Sequence, residues 1–349
     1  MRPFDRLKAF LKAHPVVCLL LLSPGIPEYL SGSSPVNALV LNPGQFAFQL
    51  IANLGLYGPG VLLVREARIK WNKGLATVLL LGAAYGILEE GIALSTLFNP
   101  EAGPVGTLGV YGHWSGVSWI WAASILPVHM IFSITLPIVL LGLALPETRG
   151  RCFLEGRKKW LALLILGADV AFLFALVARA GQFWMGWPVF VGSWGAICAL
   201  VLAARRVHPS SLMAKGELPR IRALIAGLVG VAFYPAVLLS ESIPADIGIP
   251  AAADLVIVIA VQALFLLCVP RVLGRRWNER VILALAVGLI TPIAVFGVIA
   301  EMTLPMTLLG DAAMTLFFLK VWRKYPPVGE RTPRAGTGAT NSESHPAAA

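Results

Sequence analysis

The sequence predicts an all-α fold, a polytopic transmembrane helical bundle of about ten spans with both termini cytoplasmic, on three observations. Of 349 residues, 57% are hydrophobic and only 13% charged. Apolar runs of about 20 residues, long enough to cross a hydrocarbon core of roughly 30 Å, recur along the chain. Stretches such as GLATVLLLGAAYGI and ADLVIVIAVQALFLLCV are apolar on every face, without the period-2 alternation of a membrane barrel.

Taken in order, the spans read 15–30, 44–64, 74–97, 116–144, 160–181, 187–204, 221–240, 251–270, 280–300 and 303–322. A basic cytoplasmic leader, 1–14, precedes the helical domain 15–324, and a disordered cytoplasmic tail, 325–349, follows it. The orientation comes from the basic residues. Of 28 Lys and Arg, 27 fall in the loops of one side and only Arg179 on the other. The net charge of +10 is therefore a topology signal and a contact for anionic headgroups of the lipid bilayer, with no basic-aromatic patch for nucleic acid.

The first span, VVCLLLLSPGIPEYL, is predicted to break at Ser23-Pro24-Gly25, and it lacks a small-x-small cleavage site, so it reads as an anchor. Trp71, Trp114, Trp119, Trp160, Trp184, Trp187, Trp277 and Trp322 fall near span ends, where indoles favour the interface. Cys18, Cys198 and Cys268 lie in spans and Cys152 in a cytoplasmic loop, so no disulfide is expected.

The acids divide differently from the bases. Glu28, Glu89, Glu90, Glu101, Asp169, Glu241, Asp246, Asp254, Glu301 and Asp311 lie within the membrane or toward the outer face, with almost no cationic partner. Glu28, Glu241 and Glu301, at outer helix ends, are expected to be solvated. Glu89, Glu90, Asp169 and Asp311 each cost about 3 kcal/mol at a helix centre, which asks for a compensating role.

At 1.5 Å per residue, Glu89 and Glu90 lie roughly 10–12 Å below the outer end of the third span, with His129 and Asp169 roughly 18 Å below theirs. In the second span Gln45, Gln49, Asn53 and Tyr57 recur at i+4, one polar stripe expected to face the interior and bond a carboxylate. Gly82, Gly86 and Glu90 share a face, so small residues admit a close neighbour and carry Glu90 into that contact, with Tyr85 one turn before Glu89. Pro127 and Pro137 kink the fourth span around His129, and Ser133 follows one turn later. Glu89, Glu90 and His129 are thus the candidate catalytic set, and Asn53, Gln49, Tyr85, Ser133 and Asp169 its polar network.

There is no HExxH, Walker glycine loop, GxSxG elbow or CxxC pair, and no cofactor or metal is expected. His113 and Glu101, in the outer loop NPEAGPVGTLGVYGHWSG, could ligate a metal, but two ligands do not make a site; that loop reads as a Gly-rich cap packed by Tyr111 and Trp114.

The segments PEYLSGSSPV, YGILEEGIALSTLFNPE and YGHWSGVSWIWA resemble a prokaryotic family of uncharacterised multi-pass membrane proteins over residues 15 to 145. That resemblance implies a prokaryotic cytoplasmic (inner) membrane. More distantly, the chain resembles the CPBP intramembrane peptidases, the CAAX-processing and bacteriocin-protection group, whose motifs are EExxxR, FxxxH and HxxxN. Glu89-Glu90 begins the first with Leu94 in the Arg position, His129 ends the second with Ile125 in place of Phe, and Asp169 falls where the third would lie. This resemblance implies a glutamate that activates water, Glu89 or Glu90, with His129 as oxyanion or proton-transfer partner, acting on a membrane peptide.

Two other classes fit the residues: a proton- or cation-coupled transporter of a small solute, and a scaffold whose carboxylates only tie helices. Ten spans allow two inverted halves, in which the broken first span would have its counterpart in the sixth, at Gly192, Ser193 and Gly195. Whether Glu90, His129 and Asn53 converge on one water-accessible cavity separates these classes, and a dry, closed cluster would favour the scaffold.

Overall fold

The computed structural model describes residues 9–10, 12–180, 183–212, 223–273, 278–301 and 304–325. Most of the leader, nearly all of the tail, Trp277 and the side chain of Glu301 lie outside the described residues.

Pro15 opens α1 (Pro15–Pro24) at a position where no amide donor is needed. The predicted break at Ser23-Pro24-Gly25 is instead a widening. The helix continues as a π-helical turn, Gly25–Tyr29, closed by Leu30 N donating to Gly25 O at 3.0 Å. After the short α2 (Ala38–Leu41), Asn42 caps α3 (Pro43–Lys70) by accepting from Gln45 N at 3.2 Å, and Pro43 occupies the first turn.

Helix α3 runs past the expected end at 64, and its last turns find partners in the loop 145–156. Arg65 donates to Thr148 O, Glu66 Oε1 accepts from Phe153 N at 2.7 Å, and Lys70 donates to Leu154 O at 3.1 Å. Arg65 and Glu66 are therefore buried rather than loop residues.

The third span is α4 (Leu75–Gly86) extended by a π-helical segment, Ile87–Ala93. The outer loop then forms a 3-10 turn, Gly103–Gly109, and a hairpin of β1 (His113–Trp114) and β2 (Val117–Ser118). Ser115 and Gly116 both have positive φ, 52° and 77°, as the two-residue turn of a twisted hairpin requires. The sequence reading started the fourth span at 116; the hairpin delays it to α5 (Trp119–Val128), followed by a third π-helical segment, His129–Thr135, and α6 (Leu136–Ala144). The remaining helices are α7 (Arg157–Ala180), α8 (Trp187–Arg206), α9 (Ala223–Asp246), α10 (Ala251–Leu273), α11 (Glu279–Glu301) and α12 (Leu304–Lys324).

Among the described residues, eight helices are long and apolar enough to cross a membrane. Pro15–Tyr29 is apolar but shorter, and α12 is not among the eight. Large apolar side chains such as Leu164, Val191, Leu224, Val256 and Leu267 stand exposed on the outward faces, a surface suited to lipid and costly in water. The helices are those of a membrane protein.

Two apolar cores organise the packing. One joins α1, α3, α4, α6, α7 and α8 around Tyr57, Val61 and Leu141; the other joins α6 and the described parts of α9, α10, α11 and α12 around Phe132, Leu140 and Leu283. In the second, α9 and α11 approach backbone to backbone, since a Cβ on Gly288 would fall 2.1 Å from Gly227 O. The His129–Thr135 segment lies between the two cores, packed on α4.

Candidate functional site

Three helices are wound as π-helix over one stretch each, and each stretch carries one part of the site. Gly25–Tyr29 holds Glu28, Ile87–Ala93 holds Glu89 and Glu90, and His129–Thr135 holds His129 and Ser133. One extra residue per turn displaces a side chain by about 100° around the axis, which re-aims polar groups that a regular helix would send elsewhere; such bulges concentrate at functional sites. Local sequence favours them: Pro127 removes a donor just before His129, while Pro24 precedes the first bulge and Pro27 lies within it.

The glycines of α4 set the approach. A Cβ on Gly82 would come 3.0 Å from Met130 Cα, and one on Gly86 would come 3.3 Å from His129 Cβ. The Gly82, Gly86, Glu90 face thus meets the fourth span as the spacing predicts.

In that contact the imidazole of His129, 3% exposed, stands between two carboxylates. Nε2 lies 2.8 Å from Glu90 Oε1, and Nδ1 lies 3.0 Å from Glu89 Oε2 and 3.1 Å from Ser133 Oγ. The Ser133 contact has hydrogen-bond geometry, whereas Glu89 is an ion-pair neighbour out of line for one. The second oxygen of Glu90 accepts from Thr96 Oγ1, so Glu90 is held at both ends. Tyr57 and Tyr85 wall the ring, with centroids 6.2 and 6.3 Å from it, and the Tyr85 hydroxyl faces Glu89 without closing a hydrogen bond. An imidazolium here can donate to an acceptor from each nitrogen, and the three groups together can store or pass one proton.

Of the expected polar network, only Ser133 bonds into this cluster. The second-span stripe runs from outside to inside: Gln45 is exposed and bonded to Asn42, Gln49 is half-buried, and Tyr57 is fully buried. It does reach a carboxylate, but through Tyr57, whose hydroxyl donates to Glu28 Oε1 at 2.5 Å. Asn53 donates to Ser34 Oγ at 3.0 Å, and Ser34 donates to Glu28 Oε2 at 3.0 Å. Asn53 therefore does not meet Glu90 and His129; it serves a neighbouring Glu28 network. Asp169 lies against Gly55, where a Cβ would come 2.9 Å from Oδ1, and its Oδ2 has no hydrogen-bond partner.

Two acids expected to be solvated are not. Glu28 is bonded on both oxygens, and Glu241 is only 6% exposed. Sequence position alone put both near helix ends; the packing of α1 on α3, and of α9 on α5 and α10, encloses them. Thr96 and Ser34 were missed because each lies in a turn with no periodic signal.

One ligand atom each from Glu89, Glu90 and His129 lie within 4.8 Å of one another, close enough for a metal shell. The two glutamates, however, face different ring nitrogens, so an ion on Nε2 beside Glu90 has Glu89 at the other nitrogen. Two apolar cavities, of about 1080 and 310 Å³, lie elsewhere, and neither is lined by Glu89, Glu90 or His129. All three side chains of the cluster are buried. No family model, curated protein or solved structure matches the chain.

Proposed function

We propose that the protein crosses a prokaryotic cytoplasmic membrane ten times with both termini cytoplasmic, and that Glu89, His129 and Glu90 form a proton-handling site with peptidase-like hydrolysis as its chemistry. The observation that carries this reading is the imidazole held between two buried carboxylates at 2.8 and 3.0 Å, inside the membrane-type part of the fold. Glu90 has both oxygens engaged, so it orients the ring. Glu89 is the base. It removes a proton from a water whose oxygen adds to a peptide carbonyl carbon; the C–N bond then breaks, and the proton passes through His129 to the leaving amine.

The distant resemblance to CPBP peptidases agrees with these roles. The test is cleavage of a labelled membrane peptide by protein reconstituted in liposomes. Glu89→Gln, Glu90→Gln and His129→Ala each abolish cleavage on this reading, and cleavage equal to wild type in all three removes it.

The enclosure of the cluster favours a second reading, in which the same groups only tie α4 to the fourth span. Under it the three variants lose thermal stability and wild type cleaves nothing. The transport reading asks for a second discontinuous helix, whereas α8 runs unbroken through Gly192, Ser193 and Gly195.

A further inference from the structure

Helices α9 and α12 both pack against α11, and the space between them is the larger cavity, of about 1080 Å³. Its floor is α11, where Gly288 lies against Gly227 of α9 and no side chain rises from either backbone. Its walls face outward: Leu224, Leu228, Val295 and Leu319 line it and stand exposed. On a bundle of membrane-type helices, an open apolar groove of this size is a place for hydrocarbon rather than water.

One end of the groove differs from the rest. Arg280, in the first turn of α11, lines that end with its guanidinium 4.4 Å from the ring centroid of Trp322, and Arg323 and Lys324 close α12 beside it. The adjacent Glu279 is turned to Arg149 at 3.3 Å, and none of the ion pairs among the described residues reaches Arg280. Asp311, the carboxylate that lines the groove, precedes Trp322 by eleven residues, roughly 16 Å along α12, too far to pair with the guanidinium. Arg280 thus has an aromatic face on one side and keeps its in-plane N–H groups for another acceptor.

We propose that this groove binds one anionic phospholipid, its phosphate on Arg280 and an acyl chain laid along α11 between Leu228 and Leu319. A tryptophan and an arginine at the end of an apolar groove are the side chains suited to the level where headgroups meet hydrocarbon. From Arg280 to Thr291 the helix rises roughly 16 Å, about half of a hydrocarbon core of roughly 30 Å, so a chain hung from the phosphate ends near Thr291. Asp311 lies at that same depth, past most of the chain. Burial of the chain gives little selectivity when every neighbour is lipid; charge gives it, because the guanidinium fork matches phosphate oxygens and a zwitterionic headgroup brings a competing cation of its own. Glu89, Glu90 and His129 do not line the groove, so the site is separate from their cluster.

The test is titration of the purified full chain in detergent with phosphatidylglycerol and with phosphatidylcholine of identical chains, read by native mass spectrometry and thermal unfolding. Wild type should hold one phosphatidylglycerol about tenfold more tightly than phosphatidylcholine, with a melting temperature that rises as the anionic lipid is added. Arg280→Gln should bring the two lipids within about twofold of each other. Thr315→Trp, which puts an indole in the path of the chain, should weaken phosphatidylglycerol by about tenfold. Arg271→Gln removes an exposed basic residue of α10 that does not line the groove, and should leave the preference unchanged. Glycerol phosphate, the headgroup without chains, should not shift the melting temperature. If Arg280→Gln is not monodisperse, Thr315→Trp decides. Equal binding of the two lipids by wild type overturns the proposal, as does a full preference in Arg280→Gln, full binding in Thr315→Trp, or the same loss in Arg271→Gln. A shift by glycerol phosphate equal to that of the lipid overturns it too, as does a dimer that takes up no lipid, in which a second copy covers the groove.

Discussion

The molecule buries two groups of acids and treats them in opposite ways. In the first, Glu90 and Glu28 are hydrogen-bonded on both oxygens and Glu89 is ion-paired with His129. In the second half, Glu241 and Asp254 keep oxygens with no hydrogen-bond partner at all. The difference teaches how helix winding sets the partners of a buried carboxylate: π-helical widening aims partners at the first group, while α9 and α10 are regular α-helices around the second.

The sharpest way to break this contrast is to remove the shared partner. His129→Ala leaves two glutamates buried with one donor fewer on each side, and should cost about 3–5 kcal/mol, read as denaturant unfolding in detergent. A loss below about 1 kcal/mol would show the clamp to be no stronger than a surface pair.

Tyr57→Phe comes next. It deletes the hydroxyl on Glu28 without changing the ring, with an expected loss of about 1.5–3 kcal/mol; Tyr85→Phe, whose hydroxyl closes no hydrogen bond, should cost clearly less. Equal losses would mean that the two tyrosines are not distinguished as described.

Gly86→Ala tests the approach that brings Glu90 to His129. The new Cβ meets Leu126 Cδ2 at 3.0 Å, so overpacking of about 1–3 kcal/mol is partly offset by the better helix propensity of Ala, leaving a net loss of about 1 kcal/mol. Unchanged or raised stability would indicate slack between α4 and the fourth span.

The smallest effect belongs to the other group. Asp254→Asn should be neutral or stabilise by up to about 1 kcal/mol, because it removes a buried charge that no ion pair among the described residues reaches. A loss approaching that of His129→Ala would erase the difference between the two groups.

Much of the first group was legible in the chain. Adjacent Glu89 and Glu90 in an apolar run, His129 at compatible depth, and glycines at i and i+4 before Glu90 pointed to one contact, and the side chains meet there. The stripe from Gln45 to Tyr57 was visible as a stripe, but its partner was not. Depth counting assumed regular helices, and each bulge shifts the face of the residues it carries. Glu28 was assigned to water because it sits near a predicted outer helix end, and only the contact with α3 shows that it is bonded. The hairpin at His113 to Ser118 was hidden by two-residue strands, too short for an alternation pattern.

What the sequence determined by itself was the helical, membrane-type class and the existence of costly acids, since both follow from local composition, length and periodicity. The partners of those acids were decided only by tertiary structure. A side chain's neighbour depends on helix rotation and on which helices touch, and one inserted residue in a turn changes both without leaving a mark in composition. Glu90 bonded to His129 and Asp254 closing no hydrogen bond on either oxygen are the two outcomes of that geometry.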